Sequence, residues 1–323
     1  SLHPPRNGTK CAPGTGNGAS PEEYASDIKH MKKLFLLLGV AMLLGCARQA
    51  SIAPDKLSCE YLENPQVVDV LHPRLSWINR AVGDDRNLEQ SAYQIRVAST
   101  MEGLKAPDLW DSGKRDSSQS YRIPYGGKAL ASRMECWWQV RVWDQDGKAS
   151  RWSEPGFWRM GLLKESDWKA AWIGAPWQGE EALPRTPWPD AVPEDFGPPA
   201  PLLRKEFTLK GEVASAVAYV SGLGYFELYL NGQKVGQDVL VPNQTNYGFR
   251  PGLSDALIHL PDEFSGYRVM YMAYDLKDQL KQGENALGGI LGNGFYNPAK
   301  FWAEGYGSPR FICQLHIQYA DGS

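Results

Sequence analysis

At 323 residues the chain has room for two ordinary domains, and 42% hydrophobic against 22% charged residues is the balance of a globular protein. A formal net charge of −3, with no Lys/Arg block interleaved with aromatics, excludes the electrostatic footprint of a nucleic-acid binder. Five cysteines without a C-x-x-C pair give no structural zinc pattern, and twelve tryptophans with few long helical stripes point to an all-β chain.

Residues 1–30 are rich in Gly, Pro, Asn and Ser, show no periodicity, and read as an upstream non-native or artefactual segment. Met31-Lys32-Lys33 then opens a basic start followed by the apolar run Leu34 to Leu44. That run is the length of a signal-peptide apolar region and too short for a comfortable membrane span. Its end, Leu43-Leu44-Gly45-Cys46, resembles a bacterial lipobox. The resemblance implies a lipoprotein signal peptide over 31–45, lipidation at Cys46, and a tether over 46–56. Contact with a membrane is then through the lipid anchor only, and the location is the cell envelope.

Residues 57–161 carry short strand-like runs separated by turn clusters such as Asp84-Asp85-Arg86-Asn87 and Asp111-Ser112-Gly113. Tyr93 to Val97 alternates, and Cys136 to Trp143 is the clearest strand: Trp138, Val140 and Val142 on one face, Trp137, Gln139, Arg141 and Trp143 on the other. Asp146-Gly147 turns the chain back toward Trp152, Phe157 and Trp158. Strands at this spacing predict a β-sandwich. The run from Trp138 through Asp146-Gly147 to Trp152 resembles a fibronectin type III domain. Trp137, Trp143 and Trp152 are expected to pack the core, an arginine ladder or the neighbouring domain ahead of any stacking on sugar. Cys59 and Cys136 can pair in an oxidising compartment, or sit as two separate buried thiols.

Residues 162–323 open on Asp167 to Gly174, then a proline-rich insert over 176–201 through which neither sheet nor helix is expected to run. Leu203 to Leu209 and Ala214 to Val220 read as strands. The central feature is Ser221 to Leu240: Phe226, Leu228 and Leu230 alternate with Tyr225, Glu227 and Tyr229, and Asn231-Gly232 follows. Asn-Gly is a strong hairpin signal because a type I′ turn needs positive φ at both central residues. Gly222 and Gly224 suggest a bend or a close backbone approach. Asp275 to Leu280 predicts one helical turn stopped at Gly283, and Gly283 to Leu291 and Phe311 to Tyr319 predict strands.

The order of the Asn231-Gly232 hairpin, Gly283-Glu284-Asn285-Ala286, Leu291-Gly292-Asn293-Gly294-Phe295-Tyr296 and Tyr319-Ala320-Asp321-Gly322 resembles the amino-terminal module of bacterial α-L-rhamnosidases. This implies a galactose-binding-like jelly-roll β-sandwich, truncated after its last turn, and a parent enzyme that removes terminal α-L-rhamnose from glycans with inversion. The resemblance places the two catalytic carboxylates in a downstream (α/α)₆ barrel, so no catalytic residue, cofactor or metal is assigned here. Asp84-Asp85, Glu180-Glu181 and Asp262-Glu263 read as solvated loop acids. The partners implied are a rhamnose-containing glycan or glycoside and that downstream barrel. Asn293, Tyr296, Asn297, Trp302 and Tyr306 are the candidate carbohydrate contacts, because aromatic faces stack on sugar C–H groups and amides bond hydroxyls. The competing reading has Asn293 serving a tight turn and the aromatics packing on neighbouring protein. Two rivals stand beside this assignment: a non-catalytic carbohydrate-binding lipoprotein, and accessory domains of another glycosidase.

Overall fold

Tryptophan and β-branched residues at period two build the strands that dominate the regular structure of the described residues. The computed structural model describes residues 50–177, 179, 181, 198–245, 247–248, 268–298 and 305–323, which belong to one unit running from Ala50 to Ser323. The signal-peptide reading, Cys46, most of the proline-rich insert, Asp262-Glu263 and Trp302 lie outside the described residues.

The first sandwich uses β1 (Ile52–Cys59), β2 (Arg74–Ala81), β3 (Gln90–Ala98), β4 (Trp110–Asp111), β5 (Arg115–Asp116), β6 (Ile123–Pro124), β7 (Glu135–Asp144) and β8 (Gly156–Arg159). One sheet runs β1-β2-β6 and the other β4-β3-β7-β8, with β5 pairing β3. In β7 every second side chain is buried, Cys136, Trp138, Val140, Val142 and Asp144, as the alternation predicts. Trp138 and Trp158 pack with Leu75, Ile95 and Tyr125 in the core between the sheets. Cys59 and Cys136 are free thiols in that core, and burial pushes the Cys136 thiol up to about 12.

β1 starts at Ile52, inside the stretch 46–56 expected to be a tether. Pro54 hides this strand from a sequence reading, yet β1 is the edge of its sheet, where a residue without a backbone donor is tolerated. The Asp144 carboxylate holds its start by accepting from the Ser51 amide at 2.9 Å and the Ser51 hydroxyl at 3.2 Å. The same carboxylate accepts from the amides of Asp146 and Lys148 and closes the Asp146-Gly147 turn, with Gly147 at φ +75°.

The second sandwich uses β9 (Leu202–Thr208), β10 (Val213–Leu223), β11 (Tyr225–Leu230), β12 (Gln233–Lys234), β13 (Met272–Asp275), β14 (Glu284–Gly292) and β15 (Arg310–Tyr319). Its sheets run β12-β11-β14-β9 and β13-β10-β15. Asn231 and Gly232, at φ +52° and +82°, form the primed turn between β11 and β12. Asn231 also ties the hairpin to β14: its Nδ2 donates to Asn285 Oδ1 at 2.9 Å and its Oδ1 accepts from the Ala286 amide at 3.0 Å. Gly224, at φ +115°, is where a side chain would collide with the Gly292 carbonyl, so the predicted close approach is between β11 and β14. The turn after β13 is a 3₁₀ turn over Lys277–Gln279, its first amide held by the Asp275 carboxylate at 3.0 Å.

A smaller apolar cluster joins the sandwiches. Leu162 and Val67 pack on Val217, Tyr219 and Ala273 together with Trp168 and Tyr271. The Tyr271 hydroxyl accepts from the Leu162 amide at 2.9 Å. Arg159, with only 5% of its side chain exposed, reaches Glu135 at 2.6 Å in the first sandwich and Asp275 at 3.3 Å in the second. Gln314 of β15 holds the connecting segment: its Oε1 accepts from the amides of Lys169 and Ala170, and its Nε2 donates to the Asp167 carbonyl.

Candidate functional site

The loop between β14 and β15 gathers most of the residues singled out as glycan contacts. Gly294 at φ +52° turns the chain after Asn293, and the Asn297 amide donates back to the Asn293 carbonyl at 3.2 Å. The Tyr306 amide donates to the Tyr296 carbonyl at 2.9 Å and brings the far end of the loop alongside. Tyr296 and Tyr306 stack with centroids 5.8 Å apart, and Tyr247 meets their edges at 5.2 and 5.4 Å. Burial raises the pKa of Tyr247 and of Tyr296 above the ordinary tyrosine value, so these phenols stay protonated and serve as hydrogen-bonding and packing groups.

The five candidates therefore separate. Asn293 and Tyr306 are exposed, Tyr296 is half-buried inside the ring cluster, and Asn297 is 3% exposed and belongs to the loop's interior. Trp302 lies outside the described residues. Tyr247, far from these residues in sequence, joins the cluster from a distance no local pattern reveals.

The tryptophans of the first sandwich are committed elsewhere. Trp152 lies under Arg96 at 4.4 Å and Arg141 at 4.8 Å, and Trp143 under Arg141 at 4.9 Å and Lys114 at 5.1 Å. Trp137 packs on Phe157 with centroids 5.0 Å apart. Each exposed cation–π contact contributes roughly 0.5–1 kcal/mol, and the Trp143 and Trp152 rings that could stack on a sugar are engaged by these cations. The predicted arginine ladder is thus present.

General acid catalysis needs a carboxyl group raised toward neutral pH. Among the described residues, the carboxyl groups whose acidity is displaced all move the other way. The Arg74 guanidinium holds Glu60 below the carboxylate range, and the Lys234 ammonium and Tyr229 hydroxyl do the same for Glu227. Ser99 lowers Asp108 through two hydrogen bonds, and Ser132 lowers Asp167. These are ionised, hydrogen-bonded structural acids.

Comparison with known proteins places both sandwiches. Residues 54–164 match the family described as the Rha78A-like N-terminal immunoglobulin domain, and residues 211–253 and 260–323 match the α-L-rhamnosidase N-terminal domain. An α-L-rhamnosidase of Formosa agariphila is 36% identical over 92% of this chain, which covers 31% of that protein. One from Alteromonas sp. is 34% identical over 90% of the chain and 30% of its own length. The solved α-L-rhamnosidase from Dictyoglumus thermophilum superposes with a TM-score of 0.69 at 34% identity, covering 85% of this chain and 29% of that one. The chain thus spans about a third of the length of the curated relatives it matches.

Proposed function

The chain belongs to the α-L-rhamnosidases as their amino-terminal portion, and from that premise we propose that it is the accessory region of an envelope-anchored enzyme that releases terminal α-L-rhamnose from glycans. The observation that carries this reading is the succession of two family domains, in the relatives' order, on one unit. Arg159, Tyr271 and the Leu162 cluster fix one sandwich to the other, so together they form a brace and not two beads on a string. The acid and base of an inverting displacement are assigned to polypeptide beyond Ser323. They act from opposite sides of the sugar with space for a water between them.

The test is the full-length polypeptide on an aryl α-L-rhamnoside, followed by NMR. The expected outcome is turnover with β-L-rhamnose as the first product anomer; an inactive full-length protein contradicts the reading. Glycan contact from this region falls to Asn293 and Tyr306, the exposed members of the loop cluster. Replacing both with Ala is expected to raise KM for a rhamnosylated glycan several-fold at unchanged kcat, and an unchanged KM assigns the cluster to packing alone. The apolar run and Cys46 support a lipid anchor. Metabolic labelling with a palmitate analogue is expected to mark the protein and to be lost in Cys46→Ala; equal labelling of the variant contradicts it.

A further inference from the structure

Asparagine followed by glycine is the least hindered setting for attack of a backbone nitrogen on a side-chain amide, because the second residue has no side chain to stand in the way. The chain holds four such pairs. Asn7-Gly8 and Asn17-Gly18 lie outside the described residues, and Asn231-Gly232 and Asn293-Gly294 lie within them. The two described pairs share their local chemistry and have opposite surroundings.

Asn231 is clamped on both sides of its amide. Its Nδ2 donates to Asn285 Oδ1 at 2.9 Å, its Oδ1 accepts from the Ala286 amide at 3.0 Å, and its own backbone amide donates to the Ala286 carbonyl at 2.8 Å. Swinging this side chain toward the Gly232 nitrogen breaks both side-chain bonds and takes a donor from the buried Asn285. Asn293 is exposed, and among the described residues its side-chain amide bonds to nothing. The Gly294 amide likewise has no acceptor among the described residues. The Asn293 carbonyl accepts from the Asn297 amide at 3.2 Å. That carbonyl oxygen takes up charge when the Gly294 N–H is deprotonated, so the Asn297 donor stabilises the attacking anion.

We propose that Asn293 is a site of spontaneous deamidation and that the fold shields Asn231 from the same reaction. Hydroxide removes the Gly294 amide proton, and the nitrogen's electron pair forms a bond to Asn293 Cγ. The Cγ–Nδ2 bond breaks, and ammonia leaves with a proton from water, which regenerates hydroxide. The product is a succinimide ring. Water opens it in either of two ways. Breaking the bond from the Gly294 nitrogen to Cγ gives aspartate, and breaking its bond to the Asn293 carbonyl carbon gives isoaspartate. The net change is one water consumed and one ammonia released. Either product puts a carboxylate where the loop had a neutral amide, and isoaspartate adds a methylene to the main chain inside the turn closed by the Asn297–Asn293 bond.

Peptide mapping by mass spectrometry, on the full-length protein held in mildly alkaline buffer, tests the assignment. The peptide containing Asn293 is expected to convert roughly tenfold faster than the one containing Asn231, in line with the cost of breaking two hydrogen bonds. The succinimide should appear as a transient, and heavy-oxygen water should leave its label at residue 293. In denaturant the two rates are expected to converge. Asn231 converting as fast as Asn293 in the folded protein overturns the proposal, and so does an Asn293 that is inert when folded but reactive in denaturant. Asn285→Ala removes the acceptor of Asn231 Nδ2 and should speed conversion at Asn231 while leaving Asn293 as it was. An unchanged Asn231 rate in that variant, folded by circular dichroism, overturns the shielding. KM for a rhamnosylated glycan is scored separately on the converted protein. An unchanged KM removes the glycan contact proposed for Asn293 and leaves this inference standing.

Discussion

In the first sandwich Trp138, Trp158 and Tyr125 reach across from β7, β8 and the segment after β6, and both sheets close over them. In the second, the equivalent space is filled by Ala216, Ala218, Val220, Leu228 and Leu291 around a single Phe226–Phe311 pair, and one flank stays open between β9 and β15. The difference is one of supply. Large aromatics at alternate positions fill the first core, while the second relies mainly on shorter aliphatic side chains that bury less area each. Among the described residues the first core is thus closed on both flanks, and the second is open between β9 and β15.

The comparison is broken most directly in the first core. Trp138→Ala removes a fully buried side chain and is expected to cost about 3–5 kcal/mol, read as a fall in the denaturant midpoint. Leu315→Ala on the open flank should cost about 1 kcal/mol or less in the 323-residue chain, because half of that burial is absent. Equal losses would mean that the two cores are closed alike.

The junction comes next. Arg159→Ala removes charge-assisted bonds to Glu135 and Asp275 and is expected to cost about 2 kcal/mol. Both carboxylates are about two-fifths exposed and rehydrate when the guanidinium goes, which keeps the cost below that of a buried pair broken open. Calorimetry should then show a single transition dividing into two as the sandwiches uncouple. A variant that merely shifts the whole transition would show that the Leu162–Tyr271 contact suffices.

The smallest effect is a pH dependence confined to the first sandwich. Burial of Asp144 opposes its ionisation, but the amides of Ser51, Lys148 and Asp146 outweigh it and leave the folded value below the ordinary 3.8. A depressed carboxylate stabilises the fold fully above its unfolded value, and that contribution is lost as pH falls below 3.8 through the folded value. Thermal melts of Asp144→Asn should therefore sit below the parent at pH 7 and approach it near pH 3. A constant gap across that range would assign the group to packing only.

What the sequence revealed and what it hid divide along the range of the interactions. The β7 alternation, the Asn231-Gly232 turn and the close approach at Gly224 are local, so two or three neighbouring residues announce them. The bond from Arg159 to Asp275 joins residues 116 positions apart, and the Gln314 clamp on Lys169 spans 145; neither leaves a local pattern. β1 was concealed for a different reason, since Pro54 speaks against a strand everywhere except at an edge. The loop cluster was half legible. Gly292 and Gly294 on either side of Asn293 marked the turn, but the choice between exposed Tyr306 and buried Asn297, and the arrival of Tyr247, were settled by tertiary packing.

These two sandwiches are proposed to support a reaction whose acid and base lie elsewhere in the polypeptide. The most direct measurement is hydrolysis of an aryl α-L-rhamnoside by the purified 323-residue chain, run beside the full-length protein at equal molarity. The expected rate for the short chain is indistinguishable from buffer, with steady turnover by the full-length enzyme. Turnover by the short chain that survives further purification would contradict it.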